Sequence, residues 1–173
     1  MNKLTPYMFV VPVTVLILLL FLFVHQLKKV QNKTAFKHLV SSIFLLAFVC
    51  NMIWEMFHML LYKNNLYNGK HIFICALASI ADALMVLLIY FLFALIFKNP
   101  LWAKSLTASK IIMLVFIGGI GATISETIHL SVGNWNYAAS MPIVPIINVG
   151  LSPILQFMLL PAIIYYLSFR LKG

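Results

Sequence analysis

A chain of 173 residues that is 64% hydrophobic and only 9% charged, with a mean hydropathy of +1.05, cannot cover a water-facing surface and reads as a polytopic membrane protein. The formal net charge of +9 does not point to nucleic acid, because the twelve Lys and Arg lie mostly between long apolar runs, where loop charges set topology. Cys50 and Cys75 fall inside apolar runs at unequal depths, which excludes a CxxC redox or zinc motif and predicts two small buried side chains rather than a disulfide.

In chain order, the run from Met8 to Val24 is predicted to be the first transmembrane helix, with its N-terminus outside. It is long for a signal peptide, no A-x-A-like site follows it, and the stronger positive charge, Lys28 and Lys29, lies on the wrong side. The segment His25 to Lys37 is a lysine-rich cytoplasmic loop, on which the sequon Asn32-Lys33-Thr34 would go unused. The second span is Leu39 to Leu61, followed by a polar outer loop from Tyr62 to His71. The third is Ile72 to Phe97, interrupted only by Ser79 and Asp82, and Lys98 to Lys110 returns to the cytoplasm. The fourth runs from Ile111 to about Leu130, where Gly118, Gly119, Gly121 and Ala122 predict close packing against another helix.

Ser131 to Pro142 forms an outer loop whose Trp135 and Tyr137 suit an interfacial aromatic belt. The fifth span runs from about Pro145 to Leu167, with Pro153 and Pro161 placed to kink it and free backbone carbonyls. This topology puts Lys28, Lys29, Lys33, Lys37, Lys98, Lys104, Lys110, Arg170 and Lys172 inside and only Lys3, Lys63 and Lys70 outside. The expected fold is therefore all-α, a single-domain bundle of five transmembrane helices over residues 1–173, N-terminus out and C-terminus in, residing in a bacterial inner membrane.

The chain has three acidic residues, Glu55, Asp82 and Glu126, and each lies within a predicted span. An ionisable group near the bilayer centre costs roughly 2.5 to 3.5 kcal/mol on insertion scales, so such groups face a protein interior or a wet cavity. Glu55 and His58 recur as Glu126 and His129 at the same i, i+3 spacing, which aims each carboxyl and imidazole in one direction from a helix. By depth, Glu55 and Glu126 sit in the outer halves of their spans and Asp82 near the midplane, so all three are expected to share one cavity opening toward the outer leaflet.

Polar side chains fall into step with them. Asn51 lies one turn from Glu55, Ser79 precedes Asp82 and Thr123 precedes Glu126 by three residues, and Asn148, Ser152 and Gln156 make an i, i+4, i+8 stripe on the fifth span. Such groups either bind substrate or glue the bundle through internal hydrogen bonds. His25, His38 and His71 at span ends read as interfacial, and Met52, Met56 and Met59 as packing or pocket lining.

Three functions fit these residues. The first is acid–base chemistry on a hydrophobic isoprenoid or lipid substrate that enters from the membrane, without a cofactor. Glu55 would be the acid and Asp82 or Glu126 the base, with His58, His129 and Asn51 tuning them. Trp54, Phe57, Trp135 and Tyr137 would shelter a carbocation by cation–π contact. The second is a metal site, iron or zinc, on Glu55, His58, Glu126 and His129, since paired Glu-x-x-His motifs hold two irons in helical bundles. The third is a small proton-coupled transporter or ligand-binding protein using the three carboxyls. The sequence leaves the oligomeric state open.

Asn51-Met52-Ile53-Trp54-Glu55, an Asn-x-x-Trp-Glu on the second span, resembles the motif of the small integral membrane terpene cyclases of meroterpenoid and indole-diterpenoid pathways. That resemblance covers about ten residues and implies proton-initiated cyclisation of a prenyl chain with Glu55 as the catalytic acid. The cyclases are longer, typically with seven spans, and carry their second acid as an aspartate on a late helix, where this chain has Glu126 or the neutral Gln156. A looser likeness to sterol isomerases of the emopamil-binding type rests on the number of spans and on intramembrane His and Glu.

Overall fold

The computed structural model describes residues 9–63 and 67–170. Lys3, Met8, Lys172 and residues 64–66 of the predicted outer loop lie outside the described residues. The chain forms helices α1 (Val10–Leu27), α2 (Lys33–His58), α3 (Gly69–Ile96), α4 (Ala108–Ser131) and α5 (Leu151–Arg170). All five are long and apolar enough to cross a membrane.

The starts of α2 and α3 are set by caps rather than by hydropathy. Asn32 Oδ1 accepts from Ala35 N at 2.9 Å and Asn68 Oδ1 from His71 N at 3.0 Å, so α2 and α3 begin at Lys33 and Gly69, before their apolar stretches. The sequon Asn32 is thus an N-cap. α5 departs furthest from expectation, starting at Leu151 instead of near Pro145. Pro142 and Pro145 cannot supply helical N–H groups, and the segment folds instead into a hairpin of β1 (Ile143–Val144) against β2 (Val149–Gly150). Its turn holds Ile146 at φ 77° and Asn148 at φ 53°, left-handed positions incompatible with a continuing helix.

Each helix finds its neighbours in one order: α1 packs on α3, α3 on α2, α2 on α5 and α5 on α4. The outer members show apolar faces where lipid would lie, including Ile112, Phe116, Ile120, Ile124 and Ile128 in an i, i+4 stripe on α4. The interior divides along the bundle axis. Toward the 98–107 loop it is mainly apolar and aromatic, with Gln26 and Ser168 the polar residues buried there: Trp102 from that loop is tucked inside, donates its indole N–H to Tyr90 O at 3.0 Å, and packs against Phe93, Phe97 and Tyr165. Toward the opposite loops the buried residues turn polar, with Asn51, His58, Ser79, Glu126 and Gln156.

Gly118 explains how α4 and α5 come so close. Pro161 has no N–H to offer the carbonyl of Phe157 one turn earlier, and a Cβ built on Gly118 would lie 1.9 Å from that same Phe157 oxygen. A helix without a side chain at this point therefore lies over the carbonyl that proline leaves free, as in the close contacts of small residues in membrane helices. Gly119 meets only side chains, those of Met158 and Ile154, and Gly121 meets nothing within 4 Å, so the backbone contact belongs to Gly118.

Candidate functional site

Four helices and two loops bring the polar residues into a single layer. On α2, Asn51, Trp54, Glu55 and His58 stand at i, i+3, i+4 and i+7, one stripe of the helix. His58 is the hub: its Nε2 lies 3.1 Å from Glu55 Oε1 and its Nδ1 lies 3.0 Å from Ser152 Oγ, in the first turn of α5. Trp54 Nε1 donates to the same Ser152 oxygen at 3.3 Å. Glu55 and His58 are largely shielded, with side-chain exposures of 16% and 6%.

The second group lies deeper. Gln156 Nε2 donates to Asn51 Oδ1 at 2.8 Å and to Asp82 Oδ2 at 3.0 Å, while Asn51 Nδ2 donates to Ala47 O at 2.8 Å. One amide thus ties α2, α3 and α5 together, and Asp82 finds a partner without a cation. Ser79 is spent locally on Cys75 O at 2.7 Å.

The third group centres on Glu126. Its Oε2 accepts from Tyr137 OH at 2.5 Å, Trp135 Nε1 at 3.2 Å and Tyr62 OH at 3.5 Å. The loops that carry these donors are zipped to each other, with Lys63 N donating to Asn136 O and Ala138 N to Leu61 O, both at 2.9 Å. Tyr137 OH in turn accepts from Gly150 N at 3.0 Å, which fixes β2 and the start of α5. Gly150 is needed there, because a Cβ would meet Met141 Sδ at 2.9 Å and the Tyr137 ring at 3.1 Å.

Tyr62 joins the first group to the third. Its ring meets His58 edge-on at 5.5 Å between centroids and Trp135 at 6.1 Å. Burial, then the negative charges of Glu126 and Glu55, then Tyr137 and finally Asp82 push its phenol far above the ordinary tyrosine range. Tyr137 is raised as well, by burial first and then by its bond to Glu126, so both phenols remain protonated donors. Tyr62 was not among the residues expected to matter. The signal that could have found it is its position one turn beyond His58 at the end of the second span.

The two Glu-x-x-His pairs do not behave alike. Glu55 and His58 meet directly. His129 instead stacks on Trp135, centroids 4.2 Å apart, and its Nδ1 lies 2.6 Å from Asn134 Nδ2. Trp135 stands between Glu126 and His129, bonded to one and stacked on the other. Among the described residues no three of His, Cys, Asp and Glu are grouped as metal ligands. Of the four residues expected as alternative iron or zinc ligands, Glu126 and His129 are bonded to aromatic and amide partners, while Glu55 and His58 meet each other.

The chamber also differs from expectation. A cleft of about 540 Å³ opens between α2 and α5, lined by Cys50, Ile53, Trp54, Phe57, His58, Leu61, Ser152 and Leu160. None of the carboxyls lines this cleft; the three acids lie in the polar layer behind it. Trp54 and Phe57 do line it, whereas Trp135 and Tyr137 are committed to Glu126 and do not contribute to a cation pocket there. Asn148 is displaced altogether: it is exposed in the hairpin turn, off the helix that carries Ser152 and Gln156. Phe57 is 80% exposed and Ile53 53% exposed on the cleft's outer lip, so the opening faces the region where lipid would lie.

No protein-family model matches the chain, and comparison with curated proteins and with solved structures finds no match. The functional reading rests on the site itself.

Proposed function

We propose that the protein is an integral membrane enzyme that acts on a hydrophobic isoprenoid or other lipid substrate by general acid–base catalysis, with no metal. The observation that carries this reading is the Glu55–His58–Ser152 string at the wall of an apolar cleft, with His58 and Ser152 facing the cleft and Glu55 behind them. An apolar molecule would enter laterally between α2 and α5, and His58 would exchange a proton with it while Glu55 fixes the imidazole's tautomer and balances its charge. We assign Asp82 and Glu126 to holding the layer in shape, since each is engaged by donors from other elements and neither lines the cleft. We take the N-terminus to be outside, which puts the zipped loops and the hairpin on the outer face, consistent with the weight of lysines at the other end.

Cyclisation of a prenyl chain, which the Asn-x-x-Trp-Glu resemblance implies, would need Glu55 to present a strong acid to the cleft. Its Oε1 is engaged by His58 instead, and an imidazole is far too weak an acid to protonate an isolated carbon–carbon double bond. The geometry favours substrates whose reacting carbon is activated by a carbonyl, in isomerisation or acyl chemistry.

Glu55→Gln keeps the shape and removes the charge that sets His58. In proteoliposomes supplied with prenyl and acyl lipids, with products followed by mass spectrometry, this variant is expected to lose about 100-fold or more in turnover, within the range general acid–base groups contribute. Its unfolding temperature in detergent should stay close to that of the parent. Full turnover in Glu55→Gln would rule the assignment out.

A further inference from the structure

We propose that Ser152 is a nucleophile and that the cleft takes a lipid ester, whose acyl group passes through a covalent acyl–Ser152 intermediate. This inference rests on the acid–base reading above, because His58 must serve as the base.

Hydrogen-bond direction carries it. An indole N–H can only donate, so Ser152 Oγ accepts from Trp54 Nε1 at 3.3 Å. The Glu55 carboxylate can only accept, so the ring N–H of an uncharged His58 belongs on Nε2, 3.1 Å from Glu55 Oε1. Nδ1 is then a bare acceptor 3.0 Å from Ser152 Oγ, and the hydroxyl proton has one place to point. The string runs one way, from Trp54 through Ser152 and His58 to Glu55. This is the arrangement of nucleophile, base and orienting carboxylate that activates a serine, with the two ring nitrogens in exchanged roles.

The surroundings suit an ester of a lipid. Ser152 lies in the first turn of a 20-residue helix whose positive end favours charge developing on an attacking or carbonyl oxygen. Cys50, Ile53, Phe57, Leu61 and Leu160 supply apolar walls, and the polar groups on the cleft surface are the three members of the string other than Glu55. A volume of about 540 Å³ is in the range of small-ligand sites.

In the first half-reaction Ser152 Oγ bonds to the ester carbonyl carbon and its proton moves to His58 Nδ1. The tetrahedral adduct collapses by breaking the carbon–alkoxy bond, and the leaving alcohol takes the proton from Nδ1. In the second, water or a lipid hydroxyl gives a proton to His58 Nδ1 and attacks the acyl carbon, and Ser152 recovers its proton as the acid or new ester departs. No electrons are gained or lost, so the co-reactant is only that water or alcohol.

The test is labelling of the reconstituted full chain by a long-chain alkyl fluorophosphonate, with the modified peptide identified by mass spectrometry. Expected is modification at Ser152, absent in Ser152→Ala and slowed about 100-fold or more in His58→Gln, with both variants retaining the parent's helical circular dichroism and an unfolding temperature close to its own. Ser152→Cys, which keeps a nucleophile, should accept a long-chain acyl thioester-forming probe such as a fatty acyl p-nitrophenyl ester. An unmodified Ser152 in folded protein, or labelling indifferent to His58→Gln, overturns the proposal. If Ser152 stays unlabelled while His58→Gln still abolishes lipid turnover in proteoliposomes, the nucleophile falls and the acid–base reading stands. If His58→Gln leaves that turnover intact, both fall.

Discussion

Gly118→Ala is expected to be the most damaging single-methyl change in the protein. The added carbon would sit 1.9 Å from Phe157 O and 2.7 Å from Phe157 C, both backbone atoms that no rotamer change can move aside. Relief requires α4 and α5 to separate, and α4 is held in the bundle mainly by α5. A cost of about 3 kcal/mol, the upper end of the overpacking range, is expected. For a chain of this size that lowers the unfolding temperature by roughly 10 °C. Gly121→Ala is the control on the same helix: nothing lies within 4 Å of its Cβ position, so it should leave the transition unchanged or raise it slightly. Thermal unfolding of both variants in the same detergent decides the matter, and equal transitions for the two would contradict the packing described.

Glu126→Ala is expected to be the most damaging change in the polar layer. It removes one acceptor and strands three donors, the phenols of Tyr62 and Tyr137 and the indole of Trp135, each part-buried. Leaving a buried donor unpaired costs about 1–3 kcal/mol, and the short Tyr137 bond accounts for most of the loss, for a total of about 3 kcal/mol. The damage should spread along a definite path. Tyr137 holds Gly150 N, and Gly150 stands two residues before Ser152, so the start of α5 loosens and Ser152 drifts from His58. Hydrogen exchange should accordingly rise in residues 132–151 while the aromatic half around Trp102 keeps its protection. Glu126→Gln retains one carbonyl acceptor and should lose less. Unchanged exchange in that segment would mean that Glu126 does not anchor the outer loops.

Much of the bundle is legible in the sequence because hydropathy alone marks a span. The five apolar runs correspond to α1 through α5, with ends shifted only where a cap or a turn intervenes. Asn32 and Asn68 could have been recognised as caps from their type and place. The start of α5 could not be read from periodicity, since Asn148, Ser152 and Gln156 keep a helical spacing although the first of them lies in a hairpin turn. Pro142 and Pro145 were the better signal, because proline ends the options for a ladder of helical N–H groups.

For the site, spacing predicted which face each residue shares but not which partner it takes. Glu55 and His58 lie on one face and meet; Glu126 and His129 have the same spacing, and Trp135 from the following loop comes between them. A residue from a distant loop outcompetes a neighbour on the helix whenever its donor reaches the carboxyl first. Tyr62 takes its partners in the same way, through its pairing with Tyr137 across two loops. Ser152 stood out only as one polar residue in a stripe, and its link to His58 spans 94 positions of sequence.

The orientation of the proton string can be measured directly by the ¹⁵N shifts of the His58 ring in protein reconstituted into nanodiscs, at a pH where imidazole is uncharged. The account predicts the proton on Nε2 and a bare, hydrogen-bonded Nδ1 whose shift moves in Ser152→Ala, with the Nε2 resonance responding to Glu55→Gln. A proton on Nδ1 with Nε2 bare, or a ring indifferent to both substitutions, would contradict it.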